Sequence, residues 1–166
     1  MLFRSYEIFH HTMVRNDASP EAFHPLDYFQ NLATTCEAQC LFYFAEHEGQ
    51  PVAVELVTHG TEIGYSFLGG TLEAAFPLAP NDILKHEIII DLKRRGLRKF
   101  CLGGGLVPGD GIHRYKQKFS AFGDVDFLLA SRIHNRERFR RLVAAWSGAY
   151  PERVRRGTGK VLPYRF

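Results

Sequence analysis

The chain has 166 residues, of which 45% are hydrophobic and 23% charged, and a formal net charge of +3. This length and composition are typical of one folded, soluble domain and exclude a disordered tail or a fibre. No apolar run reaches the roughly 18 to 20 residues that cross a bilayer, and the charged first residues do not resemble a signal peptide. We therefore expect a single domain over residues 1–166, located in the cytoplasm, without a transmembrane segment.

The first half of the chain predicts two helices followed by three strands. Apolar residues recur at three- and four-residue spacings over residues 3–14, and a second helix is expected over residues 26–35. The apolar period then changes to two, which is the spacing of strands. Short turn sequences separate these strands, so we predict an antiparallel meander of residues 40–46, 51–58 and 62–69.

The second half predicts a helix, a strand, a loop, a strand and a basic helix. Asn81 or Asp82 is expected to cap a helix that runs to Arg95, with Gly96 directly after its end. Strands are predicted at residues 97–102 and 125–130, and the basic helix at residues 136–146. Strands 62–69 and 97–102 should be neighbours, because a helical crossover usually returns the chain to the same sheet.

The cysteines predict neither disulfides nor a metal site. An odd number of three, without a secretion signal, is typical of a reduced cytosolic protein. No second pair of cysteines or histidines completes a metal site with Cys36 and Cys40, so we expect both to be buried thiols.

Positive charge is concentrated at the end of the chain. Residues 130–166 contain ten Lys/Arg and two Asp/Glu, a net charge of +8, whereas the first 129 residues have eleven and sixteen, a net charge of −5. Such a basic end could bind phosphate-bearing ligands or nucleic acid. A solvated helix face followed by a basic tail explains it equally well.

Two common catalytic patterns are excluded. The sequence has no Gly-x-Ser-x-Gly turn, and His10 and His11 lie in an early helix away from any candidate nucleophile, so a hydrolase triad is not expected. Gly103, Gly104 and Gly105 do not run straight into a helix, because the loop continues to Gly111, and a dinucleotide-binding turn requires that step.

The most informative segment of the chain is residues 102–119. It begins with the glycine triplet and ends with His-Arg-Tyr-Lys-Gln-Lys-Phe, in which Lys116 and Lys118 stand between Tyr115 and Phe119. With residues 64–71 and 80–87, it resembles the C-terminal half of Fem-type aminoacyltransferases of the GNAT acyltransferase superfamily. The resemblance covers residues 3–146 and implies an α/β fold, a GNAT-like mixed, mainly antiparallel sheet flanked by helices.

The resemblance also implies acyl or aminoacyl transfer to an amine, which requires a fixed donor carbonyl and stabilisation of the developing oxyanion. Lys116 matches the family lysine that contacts the donor phosphates or the oxyanion, and Tyr65 and Glu87 are further catalytic candidates. Sheet packing for Tyr65 and a solvated helix carboxylate for Glu87 are the alternatives. Donor contacts are expected from the following residues: Phe67, Gly69, Gly103, Gly104, Gly105, Tyr115, Lys118 and Phe119.

The expected donor is aminoacyl-tRNA, and no cofactor is firmly implied. Residues 73–82 contain no glycine, so they lack the turn with which many GNAT acetyltransferases bind the pyrophosphate of coenzyme A at a helix start. A tRNA end would instead contact Arg136, Arg140 and Arg141. An acyl-CoA-dependent N-acetyltransferase and a noncatalytic GNAT-like binding module are the alternatives.

The expected acceptor is a small-molecule or peptide amine, such as a peptidoglycan precursor in the Fem-type reaction. Fem-type enzymes contain two GNAT-like halves, and this chain matches one of them. A homodimer, or a partner chain that supplies the missing half, would complete the two-lobed arrangement.

Overall fold

The structure of the protein is a computed structural model that describes residues 2–105, 107, 109–120, 122–126, 128 and 130–154. The chain divides into two compact units, residues 1–121 and residues 122–166. The single domain expected over residues 1–166 stays a prediction.

The helices match the apolar periodicity of the sequence closely. Within the described residues, none is both long and apolar enough to cross a membrane. The helices predicted at residues 3–14, 26–35 and 136–146 are confirmed, whereas the helix Gly111–Gln117 was not predicted. In chain order the described α-helices are α1 Leu2–Arg15, α2 Leu26–Thr35, α3 Pro80–Arg94, α4 Gly111–Gln117 and α5 Arg136–Ala149.

One four-stranded sheet forms the centre of the first unit. Its order is β1-β2-β3-β4, with β1 to β3 antiparallel and β4 parallel to β3. The mixed, mainly antiparallel sheet and the adjacency of β3 and β4 are therefore confirmed. The strands are β1 Cys40–His47, β2 Gln50–His59, β3 Ile63–Thr71 and β4 Lys99–Cys101.

A tight turn joins β1 to β2 and sets their register. Glu48 and Gly49 connect the strands with φ of 51° and 72°. Two consecutive positive φ angles are characteristic of the two-residue hairpin turn whose twist matches that of the strands. The pairing of His47 with Gln50 follows directly from this turn.

The side chains of β2 alternate between the two faces of the sheet, and different helices cover these two faces. Val54 and Leu56 lie on the side of α1 and α2, where Ile8, Phe9 and Phe29 are also buried. Each such buried side chain contributes about 1.5 to 3 kcal/mol of transfer free energy. On the other side, β2 packs against α3 in a core of Ala53, Val57, Leu84, Ile88 and Leu92.

Helix α3 begins differently from the expectation and ends as predicted. Neither Asn81 nor Asp82 caps it: the preceding residue is Ala79, with φ of 46°, and Asn81 instead accepts a hydrogen bond from the Thr71 hydroxyl at 2.8 Å. The side chain of Asn81 is used in this contact to the end of β3. Gly96, with φ of 86°, ends the helix as the sequence predicts.

The segment after α3 differs most from the secondary structure predicted from the sequence. β4 is only three residues long, because the amide of Leu97 still bonds to the end of α3 at Leu92. The strand predicted at residues 125–130 is wrong for the described residues 125, 126, 128 and 130, none of which is in a strand. Val125 and Leu128 are 87% and 88% exposed, so these two apolar side chains are not buried as a core strand would require.

The three cysteines lie in different surroundings. Cys40 is buried at the start of β1, Cys36 is half-buried and Cys101 is exposed on β4. Burial raises the pKa of the Cys40 thiol, and the neighbouring Cys36 raises it further. The expectation of a buried thiol therefore holds for Cys40 and only in part for Cys36.

Candidate active site

A buried ion pair joins α3 to the centre of the sheet. The Lys85 ammonium of α3 donates a short hydrogen bond to the carboxylate of Glu55 on β2, and their side chains are 7% and 8% exposed. The same ammonium donates to the Ser66 hydroxyl of β3 at 3.0 Å. It also lies 5.5 Å from the ring centre of Phe100 on β4. One ammonium thus contacts three neighbouring strands.

Burial and charge act in opposite directions on this pair. Burial of the Lys85 ammonium lowers its pKa, and the negative charge of Glu55 opposes that shift. Removing both charges from water costs several kcal/mol, which their attraction repays only with well-placed hydrogen bonds. The bonds to Glu55 and Ser66 supply them.

A second lysine lies beside the first. Lys116 of α4 is half-buried, and its ammonium donates to the Gly104 carbonyl at 2.7 Å. Burial lowers the pKa of Lys116, the positive charge of Lys85 lowers it further, and Glu55 opposes both effects. We call Glu55, Ser66, Lys85 and Lys116 the lysine cluster. It brings two ammonium groups close to one carboxylate, so its net charge is positive.

The glycine triplet adapts the end of β4 to this cluster. Gly103 has φ of 69°, which a residue with a side chain rarely adopts, and a Cβ there would lie 3.6 Å from the Lys116 ammonium. A Cβ at Gly105 would overlap the Asp110 carboxylate. That carboxylate caps α4 by accepting from the His113 amide at 2.7 Å. Gly105 is therefore explained by the cap, and Gly103 by the turn toward Lys116.

The Tyr115 hydroxyl is enclosed next to the cluster. Its oxygen is buried and has no hydrogen-bond partner among the described residues. Burial raises the pKa of Tyr115, and the nearby carboxylates of Asp82 and Glu55 raise it further, so the hydroxyl stays protonated at neutral pH. The ring packs edge-on against Phe119, with centres 5.4 Å apart. The site therefore contains a buried, protonated hydroxyl close to the carboxylate of Asp82.

Strand β3 presents unpaired backbone next to these side chains. It pairs with β4 only through Ile63, Gly64 and Tyr65, and no described strand pairs with residues 66–70 on the side away from β2. We call this backbone the open edge. A β-bulge places Phe67 as the extra residue of β3 opposite Leu56 and Val57. A bulge leaves its residue outside the regular ladder and bends the strand at that point.

Several predicted site residues lie together. Lys116 belongs to the lysine cluster, and Tyr115 lies near the Glu55 carboxylate of that cluster. Phe67 and Gly69 lie on the open edge. Gly103 and Gly104 adjoin Lys116, and Phe119 supports Tyr115. Their roles in donor binding or catalysis stay predictions.

Other predicted residues lie elsewhere. Glu87 is exposed on α3 beside His86, at 3.2 Å, and its position two residues after Lys85 places it on the opposite side of that helix. Lys118 is exposed, and Tyr65 is 45% exposed on β3. Arg136, Arg140 and Arg141 are exposed on α5 of the second unit, where Arg141 pairs with Glu137 at 2.7 Å.

Glu55, Ser66 and Lys85 were not predicted, although the sequence carried a signal for two of them. Glu55 interrupts the apolar run Val-Ala-Val-Glu-Leu-Val of β2, and Lys85 lies on the same side of α3 as Leu84 and Ile88. A charged residue on an apolar face is rarely buried unless it is paired. Two such residues of opposite sign predict an ion pair. Ser66 gave no such signal.

Residues 2–117 match the family model of the acetyltransferase (GNAT) domain. Since the match spans more than half of the sequence, the chain belongs to this family. No curated protein matches the sequence significantly.

Solved structures agree with that fold. A ribosomal-protein-alanine N-acetyltransferase from Brucella melitensis biovar Abortus 2308 is similar, with a TM-score of 0.55 at 17% identity over 77% of this chain and 94% of that one. The aminoglycoside N-acetyltransferase AAC(6')-Iy in complex with CoA gives 0.57 at 12% identity, over 81% and 89%. A predicted acetyltransferase with acetyl-CoA from Clostridium acetobutylicum gives 0.57 at 16% identity, over 81% and 93%. At these identities the likeness establishes a GNAT-like fold.

Proposed function

We propose that this chain transfers an acyl group from a coenzyme A thioester to a primary amine. The observation that carries the proposal is the position of the lysine cluster next to the open edge of β3. Membership of the GNAT domain family supports acyl transfer, and the structural neighbours that contain CoA or acetyl-CoA support a thioester donor. They favour acyl-CoA over the aminoacyl-tRNA expected from the sequence.

The open edge is suited to the amide-containing arm of the donor. An extended chain with amide groups can add to an unpaired strand edge by backbone hydrogen bonds, as peptides do when they extend a sheet. The bulge at Phe67 would direct a free amide at the thioester carbonyl. A donor bound in this way has its reactive carbonyl beside Ser66, and therefore close to the lysine cluster.

Lys116 and Tyr115 would act on the charges that develop during transfer. Attack by an amine places negative charge on the carbonyl oxygen, and a fixed ammonium stabilises it most effectively where water is partly excluded. Within the described part of the chain, the Lys116 ammonium donates to one acceptor, the Gly104 carbonyl, so it has further N–H groups to offer a ligand. The protonated hydroxyl of Tyr115 could donate to the departing thiolate.

Lys85 would act through position. Its ammonium is held by Glu55 and Ser66, and its charge repels Lys116. This repulsion favours contact between Lys116 and an incoming anion, because the anion relieves it. We therefore assign Lys85 and Glu55 as positioning residues.

Aminoacyl-tRNA is the second candidate donor. The exposed Arg136, Arg140 and Arg141 on one helix, together with the Fem-type pattern around Lys116, favour it. A peptidoglycan precursor as acceptor, and a dimer or second GNAT-like half, belong to this alternative and stay predictions.

Calorimetry at two salt concentrations separates the two donors. We expect acetyl-CoA to bind and tRNA to bind weakly or not at all. Binding of tRNA through several phosphates would weaken steeply with salt because counterions are released. Release of free thiol from acetyl-CoA, with an aminoglycoside and with a peptide that begins with alanine as acceptors, then tests transfer. Salt-sensitive tRNA binding without acetyl-CoA binding would overturn the proposal in favour of the alternative.

A further inference from the structure

We propose that Lys116 is itself an acyl acceptor, so that the protein acylates this side chain when donor is present and an external amine is absent. The inference rests on the proposed function, because it needs a thioester bound at the open edge. It adds a modification site to that function. The modification would remove the charge with which Lys116 is proposed to stabilise the oxyanion.

Lys116 is positioned close to the proposed donor site. Its ammonium bonds to Gly104 at the end of β4 and lies near Lys85, which in turn bonds to Ser66 on the open edge. A thioester carbonyl that is close enough to receive a hydrogen bond from an ammonium is also close enough to be attacked by the corresponding neutral amine.

The two lysines of the cluster differ in their burial and in their hydrogen-bond partners. Lys85 is almost completely buried, and its ammonium donates to both Glu55 and Ser66. It therefore has no lone pair available for attack. Lys116 is half-buried and donates to a neutral carbonyl, which does not hold a proton as a carboxylate does. Burial and the charge of Lys85 also lower its pKa, which increases the neutral fraction. Nucleophilic lysines are typically activated by such surroundings.

The chemistry balances without a further reactant. The neutral Lys116 amine attacks the thioester carbonyl, an amide bond forms and the carbon–sulfur bond breaks. The proton lost by the amine is taken up by the thiolate, which leaves as the free thiol. The amide product is not a good acyl donor, so the modified protein does not pass the group on to an amine. Acylation at Lys116 therefore inactivates the protein that catalyses it.

The test is incubation of the folded protein with acetyl-CoA alone, followed by intact-mass measurement and peptide mapping. We expect one acetyl group on Lys116, with Lys93 in the same sample and Lys116 in unfolded protein acetylated at least about 10-fold more slowly. Lys93 is the control, because it is exposed on α3 and has no proposed role in the site. The rate should rise with pH and reach its plateau at a lower pH than that of an ordinary lysine, because the pKa of Lys116 is lowered.

Two variants and one chemical control make the result decisive. Lys116→Arg should take up no acetyl group, whereas Lys93→Arg should be modified like the unchanged protein. Because Cys101 is exposed and near Lys116, hydroxylamine treatment is included: it removes an acetyl group from sulfur and leaves one on nitrogen. A label that hydroxylamine removes, or equal labelling of Lys116 and Lys93, would overturn the inference.

The outcome also separates this inference from the proposed function. If the protein acetylates an external amine while Lys116 stays unmodified in the absence of that amine, self-acylation is rejected and the proposed function stands. If neither the amine nor Lys116 receives an acetyl group while acetyl-CoA does not bind, both are rejected.

Discussion

Lys85 of α3 and Glu55 of β2 form an ion pair in the interior of the protein, where each side chain is more than nine-tenths buried. A well-packed apolar pair of similar volume is often as stable as such a pair or more stable, so stability alone does not account for it. The charges of both groups act on the pKa of the neighbouring Lys116, which Lys85 lowers and Glu55 raises. The pair thus controls the electrostatic field in which Lys116 acts.

Breaking one side of this pair should destabilise the fold strongly. Lys85→Met leaves the Glu55 charge buried without a partner, and we expect a loss of about 3 to 5 kcal/mol in the free energy of unfolding. The double variant Glu55→Leu with Lys85→Met should recover most of that loss, because no buried charge remains. Urea unfolding measures both. A double variant as unstable as the single one would show that the charge pair is not the cause.

Replacing Lys116 should affect transfer and leave the fold intact. We expect Lys116→Met to lower kcat/KM for acyl transfer by about 100-fold or more, the size associated with one electrostatic stabiliser of an oxyanion. The thermal unfolding midpoint should change little, since Lys116 is only half-buried. Lys93→Met is the control and should retain activity, because Lys93 is exposed on α3 and has no proposed role in the site. Full activity of the Lys116 variant would remove this side chain from the mechanism.

Gly70 should not tolerate even one added methyl group. A Cβ at this position of β3 would lie 2.8 Å from the Ile8 carbonyl oxygen and 2.9 Å from the Thr12 hydroxyl of α1. Since the first neighbour is backbone, the helix would have to move, and we expect Gly70→Ala to cost about 1 to 3 kcal/mol. Gly60→Ala is the matched control, because a Cβ there meets nothing within 4 Å. Chemical denaturation that gives equal stabilities would contradict the close approach.

Asp91 should stabilise the fold in a pH-dependent manner. The Tyr43 hydroxyl donates to its carboxylate at 2.6 Å, and Arg95 also donates at 2.6 Å. These bonds hold the pKa of Asp91 below its ordinary value, so its contribution is present above the unfolded pKa of about 3.9 and is lost as the pH falls through the folded value. We expect Asp91→Asn to cost about 1 kcal/mol at neutral pH, because the carboxylate is partly exposed.

Denaturation of Asp91→Asn and the unchanged protein over a range of pH checks this sign. The difference in stability should shrink as the solution is made more acidic. In a Tyr43→Phe background, which lacks the donating hydroxyl, the same substitution should cost less. A difference that does not vary between neutral and strongly acidic pH would refute the linkage.

The sequence was most informative where structure is decided locally. The periodic apolar residues of α1 and α2 and the turn residues Glu48 and Gly49 determine their elements over a few residues. The cap of α3 was mispredicted because Asn81 is engaged by Thr71, a contact between elements that no local pattern contains. The cap of α4 is local by contrast, because the Asp110 carboxylate accepts from the His113 amide three residues later, and this signal in the sequence was missed.

The candidate site was only partly predictable for a related reason. Lys116 and Tyr115 belong to one short segment, and their spacing is visible in the sequence. Glu55 and Lys85 meet through the register of β2 with β3 and the packing of α3, which are long-range properties. At residues 125–130 the sequence predicted an element that is not observed. The apolar residues there suit a strand, but none of the described residues of this run is in one.

The short pairing of β3 with β4 has a consequence for the order of folding. β1, β2 and β3 are joined by short turns, so they can assemble through contacts that are close in sequence. β4 pairs with β3 through residues as far apart in sequence as Ile63 and Lys99, and contacts that are distant in sequence form more slowly. We therefore expect the pairing of β4 to follow that of the first three strands. Under the proposed function, a chain in which β4 has not yet paired would not consume thioester.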